Sequence, residues 1–99
     1  MSKYKVSVSL NLKHAVPAYL NERRKELPDL RSYYVTEDRA SLINTAHKYA
    51  STGRSYGIDR ISELGTRIET LANAGDAGGV SKAIAELKDY LENLEVIYV

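Results

Sequence analysis

Between Asp59 and Leu94 the apolar residues recur three and four apart in two runs: Ile61, Leu64, Ile68 and Leu71, then Val80, Ala83, Ile84, Leu87, Tyr90, Leu91 and Leu94. That spacing lines one side of an α-helix. Only Asn73-Ala74-Gly75-Asp76 parts the two runs, and it reads as a helix stop followed by a restart. So short a connection forces the helices to lie antiparallel. This part of the chain is therefore a helical hairpin with an apolar seam that the remaining residues must cover. Gly65 lies beside the first seam and lets a neighbouring helix come close, the candidate being the Tyr49 side of the helix before it.

Two earlier helices supply the cover. Leu42, Ala46, Tyr49, Gly53 and Tyr56 share one face at about 100° per residue, which predicts a helix from about Arg39 to Tyr56 with Ile43, Ala50 and Gly57 beside the stripe. Asp38 or Thr36 suits its N-cap, Gly57 its left-handed C-cap, and Asp59 the cap of the helix that follows. Pro17 is tolerated only in a first turn, so another helix should begin near Ala15 or Val16. It runs to about Tyr34, burying Val16, Tyr19, Leu20, Leu27, Leu30 and Tyr34, with Pro28 kinking or thinning it. Arg23 and Arg24 read as a solvated face. The expected fold is all-α, an antiparallel up-down-up-down four-helix bundle formed by residues 1–99 as one domain.

The N-terminus departs from this pattern. Tyr4, Val6, Val8, Leu10 and Leu12 alternate with Lys and Ser at the period of a half-buried strand. Nothing later reads as a partner strand. We therefore expect a short extended arm along the bundle, or the frayed start of the first helix, with Lys3, Lys5 and Lys13 on its solvated side. Val96, Ile97 and Val99 read as an apolar tail on the last helix.

Composition excludes several classes of function. There is no cysteine, hence no disulfide scaffold, thiolate metal site or cysteine nucleophile. The net charge of +1, with acids and bases intermixed, leaves no electrostatic footprint for nucleic acid or an anionic membrane. No apolar run approaches the length of a membrane span, and the first ten residues lack the apolar core of a signal peptide. A cytoplasmic monomer is expected, and the initiating Met and compact length suggest a free-standing protein.

One residue can be argued into chemistry. His47 falls on the flank of the buried stripe, with Ser51 one turn on and Arg54 two turns on along nearly the same line. It should reach solvent or a partner, and a neutral imidazole on a rigid helix is a competent nucleophile toward phosphorus. Taken on spacing alone, an ordinary surface histidine is the plainer reading. His14 has no companion ligands and reads as a surface residue.

The segment HKYASTGRSYG, with Tyr56 and Gly57 closing it, resembles the phospho-accepting segment of histidine-containing phosphotransfer (HPt) domains, whose pattern is His-x-Leu-Lys-Gly, a few small residues, then an apolar or aromatic residue and Gly. The preceding VPAYLNERRKELPDLRSYYVTEDRASLINTAHKYA is similar to the family's first two helices, and LGTRIETLANAGDAGGVSKAIAELKDYLENLEVIYV to its third and fourth. The resemblance implies a four-helix bundle in a multistep two-component phosphorelay. His47 would take a phosphoryl group from a receiver-domain aspartate and pass it on, with response-regulator receivers and a hybrid histidine kinase as partners. It implies a phosphoryl carrier rather than a self-sufficient enzyme, with no cofactor on this chain and Mg²⁺ on the partner receiver. Ile43, Ala50, Ser51 and Arg54 would form the receiver-docking or phosphoryl neighbourhood, together with the N-terminal arm.

The departures from the family pattern fall beside the histidine. Ala50 stands where the family has Lys, Ser51 where it has Gly, and Tyr49 where it has Leu. Arg54 either replaces the missing cation or merely solubilises the helix. Two further functions stay open: a phosphorylation-incompetent adaptor or inhibitor that binds a receiver or kinase, and a helical interaction module sharing only the fold. An exposed and unpaired His47, with Arg54 or another base within reach, would favour transfer; a buried one hydrogen-bonded to a carboxylate or carbonyl would count against it.

Overall fold

The computed structural model describes residues 3–99. Strand β1 (Tyr4–Val8) leads through a short 3₁₀ turn at Leu10–Leu12 into helices α1 (Val16–Lys25) and α2 (Leu27–Val35). Helix α3 (Arg39–Thr52), a second 3₁₀ turn at Arg54–Tyr56, helix α4 (Asp59–Asn73), helix α5 (Ala77–Glu92) and strand β2 (Leu94–Tyr98) complete the chain. The expected four-helix bundle is present, its first member split into α1 and α2. Helix α3 packs most extensively on α4, α4 on α5, and α2 closes the ring against α3 and α5. No helix of the described residues is long and apolar enough to cross a membrane.

The split follows from Pro28. A proline inside a helix has no N–H to give and collides with the carbonyl four residues back. The chain breaks at Glu26 instead, which places Pro28 in the first turn of α2, where neither problem arises. The break is held by the Tyr49 hydroxyl, which reaches from α3 to donate to the Arg23 carbonyl at 2.7 Å. Arg23 and Glu26 pair across the break at 2.9 Å. Tyr49 is fully buried, and burial pushes its hydroxyl well above the usual phenol range, so it stays a donor at any physiological pH.

Local chemistry sets most of the other ends. Asp38 caps α3, accepting from the Ser41 N–H, and Asp76 caps α5, accepting from the Gly79 N–H. Gly57 and Gly75 adopt the left-handed conformation at φ 78° and 73° in the turns that precede α4 and α5. Asp59 does not cap α4; Ile58 occupies the N-cap and Asp59 is the first helical residue. Helix α3 stops at Thr52, short of the expected Tyr56. Gly53 is pressed against α4 so closely that a Cβ there would lie 2.6 Å from the Ser62 nitrogen, and the Ser62 hydroxyl accepts from the Arg54 N–H at 2.9 Å. These contacts turn the chain out of the helix.

Gly65 makes the expected close approach. A Cβ built on it would lie 2.5 Å from the Ala50 nitrogen and 2.8 Å from the Ala46 carbonyl oxygen, so the backbones of α3 and α4 are in contact.

The N-terminal arm has a partner after all. Residues 94–98 leave the helical pattern and pair with β1 in parallel, with Tyr4 opposite Leu94, Val6 opposite Val96 and Val8 opposite Tyr98. Parallel neighbours need a long crossover, and the whole bundle serves as that crossover. The inward residues Tyr4, Val6, Leu94, Val96 and Tyr98 pack on the core, while Lys5, Ser7, Glu95 and Ile97 face out. Asp89, near the end of α5, anchors the start of β1 by accepting from the Lys3 ammonium at 2.8 Å and from the Tyr4 hydroxyl.

Two measurements check this fold. In Gly65→Ala the helix-propensity gain, up to about 1 kcal/mol, is opposed by overpacking against rigid backbone, which costs about 1–3 kcal/mol. Net destabilisation in urea titration is therefore expected. The second concerns acid. Hydrogen bonds from Lys3 and Tyr4 hold the Asp89 carboxyl below its usual 3.8, so the native state binds its proton less readily than the unfolded chain. Its contribution to strand docking is full above that ordinary value and fades as pH falls through the lowered one. Hydrogen-exchange protection factors, corrected for the intrinsic pH dependence of exchange, should fall at the Val6 and Ile97 amides over this acid range in the wild type, and at every pH in Asp89→Asn.

Candidate functional site

Helix α3 carries His47 on the side facing away from the core. Its neighbours in the sequence explain the placement. Leu42, Thr45, Ala46 and Tyr49 are buried, and they fix the rotation of the helix so that His47 emerges at the edge shared with α4. The histidine side chain is 65% exposed.

Across that edge stands Glu69 of α4. Its two carboxylate oxygens lie 3.3 and 3.4 Å from His47 Nδ1. A carboxylate only accepts, so the neutral imidazole places its proton on Nδ1, where it donates to Glu69. Nε2 is then left with its lone pair. The histidine is thus both exposed and paired with a carboxylate, an arrangement between the two anticipated from the sequence. Glu69 is only 23% exposed in its side chain, which makes it the better-ordered member of the pair.

Glu69 was not singled out in the sequence, although a signal existed. Gly65 reads as the close approach to the Tyr49 side of α3. In an antiparallel pair, one turn onward in α4 meets one turn earlier in α3, which sets Glu69 beside Thr45 and Ala46, within a side chain's reach of His47.

The other candidates are not drawn together around the imidazole. Ile43 and Ala50 are half-buried, with the Ala50 backbone against Gly65. Ser51 is exposed, and its hydroxyl donates back to the Lys48 carbonyl at 3.5 Å. Arg54 is also exposed, but it sits in the 3₁₀ turn beyond the end of α3, so the straight helical line from His47 does not extend to it. Its guanidinium has no hydrogen-bond or ion-pair partner among the described residues. Lys48 turns away and pairs with Glu26 at 3.4 Å. His14 is exposed at the approach to α1. Among the described residues no group of three or more His, Asp or Glu side chains converges as a metal centre would require.

The tautomer is open to direct measurement. Long-range ¹H–¹⁵N spectra of the wild type at neutral pH should show the Nδ1–H form of His47; Glu69→Ala should return it to the Nε2–H form preferred by free imidazole.

The Hpt domain family model matches residues 14–96, from the approach to α1 into β2. No curated protein and no solved structure matches the chain significantly. With that match over nearly all of its length, the chain belongs to the family of Hpt domains, the histidine phosphotransfer modules that interact with receiver domains and histidine kinases in two-component phosphorelays.

Proposed function

We propose that His47 is the phospho-accepting residue and that the chain relays a phosphoryl group between receiver aspartates. The observation that carries this reading is the pairing of an exposed imidazole, through Nδ1, with the carboxylate of Glu69. That bond fixes the ring and directs the Nε2 lone pair outward, where a receiver can present its aspartyl phosphate. Nε2 attacks phosphorus as the bond from phosphorus to the aspartate oxygen breaks. The aspartate leaves as a carboxylate, and an N–P bond replaces the O–P bond. The phosphorylated ring carries positive charge, which Glu69 offsets through the retained Nδ1–H. The return transfer runs the same steps backwards to a second receiver.

The chain itself supplies position more than charge. Neither Ala50 nor Ser51 offers a cation, and the nearest ionic partner of the ring is an acid. Charge on the migrating group would have to be met by the receiver and its Mg²⁺, with Arg54, whose guanidinium has no partner among the described residues, swinging in once the two proteins meet. Ile43 and Ala50 would give the apolar part of a weak, transient docking surface.

A phosphorylation-incompetent adaptor or inhibitor is the second reading, favoured by the same absence of a cation beside the histidine. One experiment separates them. The purified chain is mixed with phosphorylated receiver domains and examined by intact mass, before and after acid treatment. The relay reading expects one acid-labile phosphoryl adduct, lost in His47→Gln, formed about ten- to a hundredfold more slowly in Glu69→Gln, and slowed less in Arg54→Ala. A chain that binds receivers but is never labelled is an adaptor.

A further inference from the structure

The break at Glu26 opens a groove of about 460 Å³ between α2 and α5. The α3–α4 edge that carries His47 lies across the bundle from it, because α2 and α5 meet on the far side of the ring of helices. Leu27, Pro28 and Ile84 give it an apolar lining, and Arg24, Arg31 and Lys88 give it three positive charges against the single carboxylate of Glu92.

None of these three cations has a carboxylate partner among the described residues. The two arginines are nonetheless pinned. Arg24 Nε donates to the Leu91 carbonyl at 3.0 Å, and Arg31 Nη1 donates to the Ser81 hydroxyl at 3.1 Å. Each guanidinium therefore has its orientation fixed by one bond to α5 and keeps its other N–H groups for an acceptor. Their anchors on α5 are ten residues apart, a rise of about 15 Å. No small anion spans that distance. An extended chain at about 3.3 Å per residue covers about 13 Å in four residues, an even spacing that keeps both side chains on one face, and the length of the side chains supplies the rest.

We propose that this groove is a second docking surface, which takes an extended acidic peptide segment of a partner protein whose carboxylates fall four residues apart on one face. Small apolar side chains between them would lie over Leu27, Pro28 and Ile84. The charges give register and the lining excludes water. Binding here leaves the His47 edge open, so a partner could hold the chain while a receiver engages the histidine.

The probe is a seven-residue amidated peptide with glutamates at its second and sixth positions and alanine and leucine elsewhere. It is titrated into the ¹⁵N-labelled chain at 50 and at 200 mM salt. Saturable amide shifts are expected on α2 and α5 near Arg31 and Lys88, with those of His47 and Glu69 unmoved, and with weaker binding at the higher salt. Lys88→Glu, which removes no hydrogen bond or ion pair among the described residues, should weaken binding about fivefold or more, whereas Lys82→Glu, outside the groove, should not. Absence of shifts, shifts centred on His47, or undiminished binding by Lys88→Glu would overturn the proposal. Succinate reproducing the same shifts at equal concentration would overturn it too, by showing a small-anion site.

Discussion

The contact between the backbones of α3 and α4 at Gly65 governs both the fold and the site. Helices that meet through ordinary side chains sit 8–10 Å apart; here a Cβ at residue 65 would fall inside contact distance of the Ala46 carbonyl and the Ala50 nitrogen. The absent side chain fixes the register of the antiparallel pair, and register decides which residues meet one turn away. Glu69 reaches His47 because of it. The same close approach brings Gly53 against Ser62 and ends α3 at Thr52. Helix packing and imidazole orientation are thus two results of one steric allowance.

What was legible in the sequence is what short-range chemistry decides. The caps at Asp38 and Asp76, the left-handed glycines at 57 and 75, the first-turn placement of Pro17 and the disturbance at Pro28 each depend on a few neighbouring residues. The exposure of His47 followed from the helical period. The end of α3 was not legible, because Thr52 is followed by residues that continue a helical pattern and only contact with Ser62 turns the chain aside. Asp59 looked like a cap, yet the helix begins at Asp59 itself and Ile58 takes the cap position. Strand β2 was hidden for two reasons: its alternation at Leu94, Val96 and Tyr98 runs straight on from the stripe of α5, and its partner stands at the opposite end of the chain. Glu69 belongs to the same class, since a side chain's partner on another helix depends on inter-helix register rather than on its own surroundings.

The charges divide the surface by role. Among the described residues the ionic partner of His47 is an acid, and the adjacent Lys48 is drawn off to Glu26 at the break between α1 and α2. Around the α2–α5 groove the balance is reversed, with fixed guanidinium groups and little acid to meet them. A net charge of +1 summed over the whole chain does not reveal this local separation. The break at Glu26 contributes to both faces, by holding Lys48 away from the histidine on one side and by opening the groove on the other.

The parallel pairing of β1 with β2 also has a mechanical consequence. Because the strands run the same way, Lys3 lies beside Asn93 at one end of the ribbon and Val99 beside Leu10 at the other, with the Leu10 N–H bonded to the Val99 carbonyl. Tension drawn through residue 3 and residue 99 therefore pulls the strands past one another lengthwise. The load falls on all the inter-strand hydrogen bonds together instead of opening them one by one from an end. The bundle behind them feels that load only after the ribbon has sheared, so two five-residue strands act as the tension clamp of a helical protein.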